Sequence, residues 1–446
     1  MNSSLRAAWL DIKASYWFIP TLLTAAAFGL ALLSVHLDRL WGAQWLEDFA
    51  WYESSRPEGA RAQLTVIASS MIAISSTVFA ITIAAVAYAS GNYGPRLLNN
   101  FMNDRGNQIS LGVFVATFVY NLLILRAVRN PEDPAVPGES AAEAATAFVP
   151  QLSMAISSLS VLIAVGVLVY FLHHIPASIR INTVLGGIGR RLIADLERRF
   201  PAVGGHEEPE QPERGTPIAA RRVGYVEIVD FTTLDRIAGE RGLVVSLAVR
   251  TGDFIHPHLP VLFVSSGEAD EELAGELLSC FSLGDSRTPT QDLEFLIDEL
   301  VEIGVRALSP GINDPFTGIT SLHWLAAALS RLADRDLWQG PEQHSYDRSR
   351  VRPVSDGFDH YLRRSFGGMR DSCAADQKAA LVYLDSLAGV AIGATSDARR
   401  HALAAEARLL VAQAETELQG PAIEQVRARL AETEERIAAL IRGGAA

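Results

Sequence analysis

The sequence predicts a membrane α-helical domain of four transmembrane helices, followed by a cytoplasmic α+β domain in which a small β half-barrel precedes a helical bundle. Three observations carry this reading. Four long apolar runs fall within the first 171 of 446 residues. Charge divides near residue 200: of 38 Lys+Arg and 51 Asp+Glu, positions 1–200 hold 14 and 13, and the remainder holds 24 and 38, a net of −14. Beyond residue 220, a β-rich stretch gives way to helical periodicity that continues to the C-terminus. The expected organisation is a membrane domain over 1–200, a linker over 201–220, a small β domain over 221–266 and a helical cytoplasmic domain over 267–446.

The first span is expected over 17–37, announced by Tyr16, Trp17 and Phe18, whose rings favour the headgroup level. Pro20 sits in its first turn, where a missing N–H costs little. The N-terminal stretch lacks a small-residue cleavage site, so this span is expected to be retained rather than removed as a signal peptide. Leu37, Leu40, Trp41, Trp45 and Phe49 then recur at helical spacing, which suggests a short helix on the membrane surface or packed on the protein.

The second span, 64–90, lies in a run over 62–93 with no Asp, Glu, Lys or Arg. A bilayer core about 30 Å thick needs roughly 20 apolar residues of helix, so the run spans with turns to spare. Its small residues Ser69, Ala73, Ser76, Ala80, Ala84, Ala87 and Gly91 step by three or four and share one helix face. Such a face either lets a neighbouring helix approach closely or lines a narrow aqueous path. Gly94 and Pro95 end this helix and start another. The third span is expected over 108–125. The fourth, 146–171, carries a second stripe of Ser153, Ser157, Ser160 and Ala164. No ionisable side chain is expected within the hydrocarbon, which argues against a secondary transporter.

Basic residues near the span ends set orientation. Arg6 and Lys13, then Arg96 and Arg105, then Arg180, Arg190, Arg191, Arg198 and Arg199 all fall on one side, so both termini are expected in the cytoplasm. The acidic surplus downstream disfavours nucleic acid and is suited to inorganic cations.

In the C-terminal half, strands are expected over 223–229, 243–249 and 260–264, and helices near 269–280, 290–308, 315–334, 376–392, 396–417 and 421–441. The strand segment loosely resembles biotinyl- and lipoyl-type folds, but no lysine stands at a turn to carry a prosthetic group. The string Arg306-Ala-Leu-Ser-Pro-Gly-Ile-Asn-Asp-Pro-Phe-Thr317 reads as a structural corner between two helices, with a ligand site as the alternative because polar side chains and free N–H groups converge there. Ser309-Pro310 ends the first, Gly311 supplies any left-handed turn, Asn313 and Asp314 follow, Asp314 caps the next helix and Pro315 takes its first position.

Chemistry-bearing motifs are sparse. Cys280 and Cys373 belong to no CxxC pair, and His173-His174 and His256/His258 lack further ligands at metal-binding spacing, so no metal and no cofactor are expected. No phosphate loop, HExxH or GxSxG string occurs, and no catalytic residue or enzymatic activity is assigned.

ALSPGINDPFT, the preceding DLEFLIDELVEIGVRAL, the span exit GNYGPRLLNNFMNDRGNQISLGVF, GYVEIVD and TGDF together resemble the bacterial predicted membrane proteins called domain of unknown function 2254. Gly94-Pro95-Arg96 departs from that family's usual form, which is closer to Ser-Pro-Arg. The resemblance implies membrane spans plus a cytoplasmic C-terminal domain, and it brings no known activity. The domain order is also that of small-conductance mechanosensitive channels, an analogy of fold alone. The expected function is a homo-oligomeric, channel-like protein of the lipid bilayer; the alternative is a membrane-anchored sensor or scaffold with a cytoplasmic ligand- or partner-binding domain.

Overall fold

The computed structural model describes residues 15–41, 56–94, 104–130, 147–200, 215–265, 270–337, 346–347 and 349–443. The chain divides into two compact units, one over Asp11–Arg180 and the other including Ile181–Ala446. Helix Ile181–Arg199 thus groups with the C-terminal unit, upstream of the charge step near residue 200.

The N-terminal unit contains α1 (Phe18–Trp41), α2 (Pro57–Tyr93), α3 (Arg105–Ala127) and α4 (Gln151–Ser178). All four are long and apolar enough to cross a membrane. Each matches an expected span, with ends shifted by up to a few turns. α3 is the central helix, packed against the other three. Leu64 of α2, Tyr120 and Ile124 of α3 and Met154 of α4 make one buried cluster; Met71 and Val78 with Phe114 and Phe171 make another. The surface helix expected around Trp45 and Phe49, and the turn at Pro95-Arg96, lie outside the described residues.

The expected end of the first span is corrected. α1 runs past residue 37 to Trp41 and carries Asp38, which is 5% exposed. Its carboxylate accepts from the backbone N–H of Leu152 (2.8 Å) and Ser153 (3.0 Å) and from Ser153 Oγ (2.7 Å). α4 has Pro150 before it and no cap of its own, so Asp38 of α1 supplies one across the bundle.

The C-terminal unit opens with α5 (Ile181–Arg199) and continues with β1 (Thr216–Ala219), β2 (Gly224–Val229), α6 (Phe231–Arg241), β3 (Val245–Leu247), β4 (Phe254–Ile255), β5 (Pro260–Val264), α7 (Glu271–Leu278) and β6 (Phe281–Gly284). α8 (Leu293–Leu308), α9 (Pro315–Ala333), β7 (Val351–Arg352), α10 (Phe358–Leu362), a π-helical turn (Arg363–Gly367) and α11 (Gly368–Ala374) follow. The chain closes with α12 (Gln377–Gly393), α13 (Asp397–Glu417) and α14 (Pro421–Gly443).

The strands form two small sheets, β1-β5-β3-β7 and β4-β2-β6, antiparallel except for the β3–β7 pair. They share a core of Ile218, Val226, Val245, Leu262, Leu277, Phe281 and Val351. A half-barrel closed within 221–266 is therefore not what is observed: β1 comes from the linker, β6 and β7 come from beyond residue 266, and α6 is inserted between β2 and β3. The last three helices pack together, and Glu406, 3% exposed, takes Arg370 Nε at 2.7 Å and the Tyr383 hydroxyl at 2.6 Å.

Candidate functional site

Of the four carboxylates on α8, Glu294 and Asp298 stand four residues apart in its first turns. Asp356, His360 and Arg364 repeat the same spacing on the segment that enters α10 and the π-helical turn. A loop after β3 brings in Arg250. That loop is held by Gly252 at φ +94°, where a side chain would collide with Asp292 Oδ2 at 2.2 Å. The Arg250 backbone N–H also donates to Asp253 at 2.9 Å.

These groups converge. Arg250 Nη1 donates to Glu294 Oε1 at 3.0 Å, pairs with Asp356 and lies 3.3 Å from His360 Nε2. His360 Nε2 is 2.6 Å from Glu294 Oε1. Arg364 pairs with the other Glu294 oxygen at 2.7 Å and donates twice to Asp298, both at 2.8 Å. Arg287 donates to Asp292 at 2.8 Å, and Asp292 in turn caps Phe295 N–H at 3.1 Å.

Electrostatics follow from the packing. Burial works to raise the Glu294 pKa, but the bonded His360 ring, Arg364 and Arg250 outweigh it and hold the carboxyl down to about 2. Asp292, more fully enclosed, is pushed up by burial despite Arg287. For Arg250, burial opposes the charge, and the carboxylates of Asp356, Glu294 and Asp253 overcome it and raise the pKa.

The cluster opens on a cavity of about 390 Å³. Its wall carries Arg198, Arg199 and Arg250 beside Asp195, Asp292, Glu294 and Asp356, with Phe200, Phe231, Tyr346 and Tyr361 as the aromatic part. Phe231 and Tyr346 stack with centroids 4.9 Å apart. The size falls within the range of small-molecule sites, and the wall is more charged than the mostly apolar lining those sites usually have. The sequence singles out none of these residues as a site: Arg198 and Arg199 are read only for orientation, and Asp292 and Glu294 only as part of the string that carries the family resemblance. The only signal in the chain is the repeated four-residue charge spacing, which does not distinguish a buried charge from a solvated one.

The residues singled out from the sequence are distributed differently. Ser69, Ala73, Ser76, Ala80 and Ala84 are all exposed on α2, on the side away from its buried face of Leu64, Ala68, Met71, Ser75 and Val78. Ser69 and Ser76 bond back to their own helix, at Thr65 O (2.8 Å) and Ile72 O (3.0 Å). On α4, Ser153 and Ser157 are fully buried, and Ser157 Oγ donates to Asn121 of α3 at 2.5 Å. Ser160 is half-buried and bonds to Ser157 O at 2.7 Å.

At the corner, Asp314 caps α9 through Thr317 N–H (3.2 Å) and Thr317 Oγ1 (2.7 Å), and Pro315 opens that helix. Ser309 caps the end of α8. The left-handed residue is Asn313 at φ 51°, not Gly311, a correction consistent with Asn tolerating that region best after Gly. Pro310 and Gly311 are exposed. Of the histidines, His174 is bound to Asp104, the cap of α3, at 2.9 Å, and His256 and His258 are exposed.

Four helices long and apolar enough to cross a membrane, joined to a second unit of helices and two small sheets, fit a membrane protein. The chain belongs to the family described as "Predicted membrane protein (DUF2254)", which it matches over residues 13–389. It is similar to an uncharacterized protein of Mycobacterium bovis, 27% identical over 427 residues covering 92% of this chain and 78% of that one. An uncharacterized protein of Mycobacterium tuberculosis matches with the same identity and coverage. No solved structure matches the chain.

Proposed function

We propose that this membrane protein assembles as a homo-oligomer in the bacterial inner membrane, with both termini cytoplasmic, and acts as an ion-conducting, channel-like protein rather than an enzyme. The observation that supports it is the exposed face of α2: Ser69, Ala73, Ser76, Ala80 and Ala84 lie on the side opposite its buried residues. Such a face suits either close approach to a neighbouring copy or the wall of a path shared between copies. Ser153 and Ser157 are committed to bonds within the subunit, which leaves α2 as the stronger candidate. The acidic surplus beyond residue 200 suits inorganic cations as the conducted species.

The test is a set of single cysteines at Ser69, Ser76 and Ala80 in a chain free of Cys280 and Cys373. A conducting path predicts that small water-soluble thiol reagents label all three, and that Ala80→Trp blocks current in planar bilayers while the oligomer persists. Inaccessible cysteines, no current and an assembly broken by Ala80→Trp would contradict conduction and leave α2 as a packing face. A second reading, a membrane-anchored sensor, is supported by the charged cavity of the C-terminal unit. It predicts ligand binding without current.

A further inference from the structure

Glu294, Asp356 and His360 each offer one ligand atom, and the three atoms lie within 4.8 Å of one another. They also surround a common point. That point is occupied by Arg250 Nη1, which lies 3.0 Å from Glu294 Oε1, pairs with Asp356 and is 3.3 Å from His360 Nε2. One nitrogen of a guanidinium thus stands where two carboxylates and an imidazole would hold a cation. We propose that Glu294, Asp356 and His360 bind one divalent transition-metal ion, and that Arg250 turns into the adjoining cavity when the ion enters. This goes beyond the channel reading and does not depend on it.

Four features of the site support the assignment. The donor set is chemically apt, since imidazole suits zinc, iron and nickel, and carboxylate suits manganese. The His360 ring presents Nε2 to Glu294 and Arg250, and ligation through Nε2 would require it to release the proton it shares with Glu294 Oε1. Its Nδ1 faces Asp356 Oδ1 at 3.6 Å, so Nε2 is the nitrogen directed toward Glu294 and Arg250. Positive charge is in deficit. Glu294, Asp298, Asp292, Asp356 and Asp253 pair here with only three guanidiniums, of Arg250, Arg287 and Arg364, and Glu294 and Asp356 share the His360 ring as a further partner. A divalent ion at this point would add positive charge where carboxylates outnumber guanidiniums.

Fourth, Arg250 has somewhere to go. Its Nε has no hydrogen-bond partner, and its side chain borders the cavity of about 390 Å³, which has room for it and for waters completing the coordination. The π-helical turn Arg363–Gly367 begins two residues after Tyr361; such turns recur at functional sites.

The experiment uses full-length protein in detergent, without a histidine tag, stripped with EDTA and then freed of it. Titration with Mn²⁺ and with Zn²⁺ by calorimetry should give one ion per chain for at least one metal. Glu294→Gln and His360→Ala should each weaken binding at least about 10-fold, the range expected for a lost ligand or partner. His360→Gln replaces His360→Ala if the latter aggregates. Arg250→Met removes the competing cation and should tighten binding at least about 10-fold. The Mn²⁺ electron paramagnetic resonance spectrum should broaden on binding to wild type and Arg250→Met. No binding at 1 mM metal by either of those chains would overturn the proposal. Binding unchanged by the His360 and Glu294 variants would also overturn it, since the ion would then sit elsewhere.

Discussion

Burial alone would raise the pKa of the Glu294 carboxyl; the His360 ring, Arg364 and Arg250 reverse that and hold it at about 2. Its ordinary value in an unfolded chain is near 4.3. A depressed folded pKa contributes stability that is present above about pH 4.3 and is lost as pH falls toward 2. The full effect is on the order of 3 kcal/mol. In EDTA, the melting-temperature gap between wild type and Glu294→Gln should therefore narrow by roughly half between pH 5 and pH 3. A gap that stays constant would mean the carboxylate is not held ionised by these partners. At this scale the sequence is only partly readable. Asp314 and Pro315 take the positions that capping and proline geometry dictate. Asn313 instead of Gly311 takes the left-handed turn, because two neighbouring residues can both satisfy it and only the packed corner selects one. Glu294 and His360 are visible as charges, but the enclosure that makes them a site depends on three segments meeting from positions 250, 294 and 356.

Elements with strong periodicity are legible. Four apolar runs become α1 to α4, and the late helices fall within a few residues of where apolar spacing puts them. α6 goes unrecognised although its signals are present: Asp230 caps Thr233, Leu234, Ile237 and Ala238 recur at helical spacing, and Gly242 closes the helix at φ +64°. A strand on each side draws attention from the short segment between them, which the strand pattern leaves unassigned. β1, β6 and β7 escape for another reason: each is short and is stabilised by a partner distant in sequence. The cap of α4 shows the same limit. Nothing near residue 151 announces it, because the capping carboxylate is Asp38, more than a hundred residues earlier. Asp38→Ala removes three hydrogen bonds at the start of α4. It should destabilise the protein by about 1–2 kcal/mol, read as a lower midpoint in detergent unfolding. An unchanged midpoint would show that water or lipid headgroups satisfy those N–H groups equally well.

At the scale of the molecule, composition shows a charge step near residue 200, while the compact units divide at residue 180, so helix α5 belongs to the second unit although it lies before that step. Association between copies is legible only as a possibility carried by α2, since a small-residue face reads the same in a packed interface and in a path. The exposure of that face within one subunit raises the question of what covers it. The most direct measurement is oxidative cross-linking in native membranes, using single cysteines in a chain free of Cys280 and Cys373. Cysteines at the outward positions Ala73, Ser76 and Ala80 should give disulfide-linked dimers. Cysteines at Ala68 and Ser75, on the buried face, should not. Dimers absent at the outward positions, or equally abundant at both sets, would contradict assembly through α2.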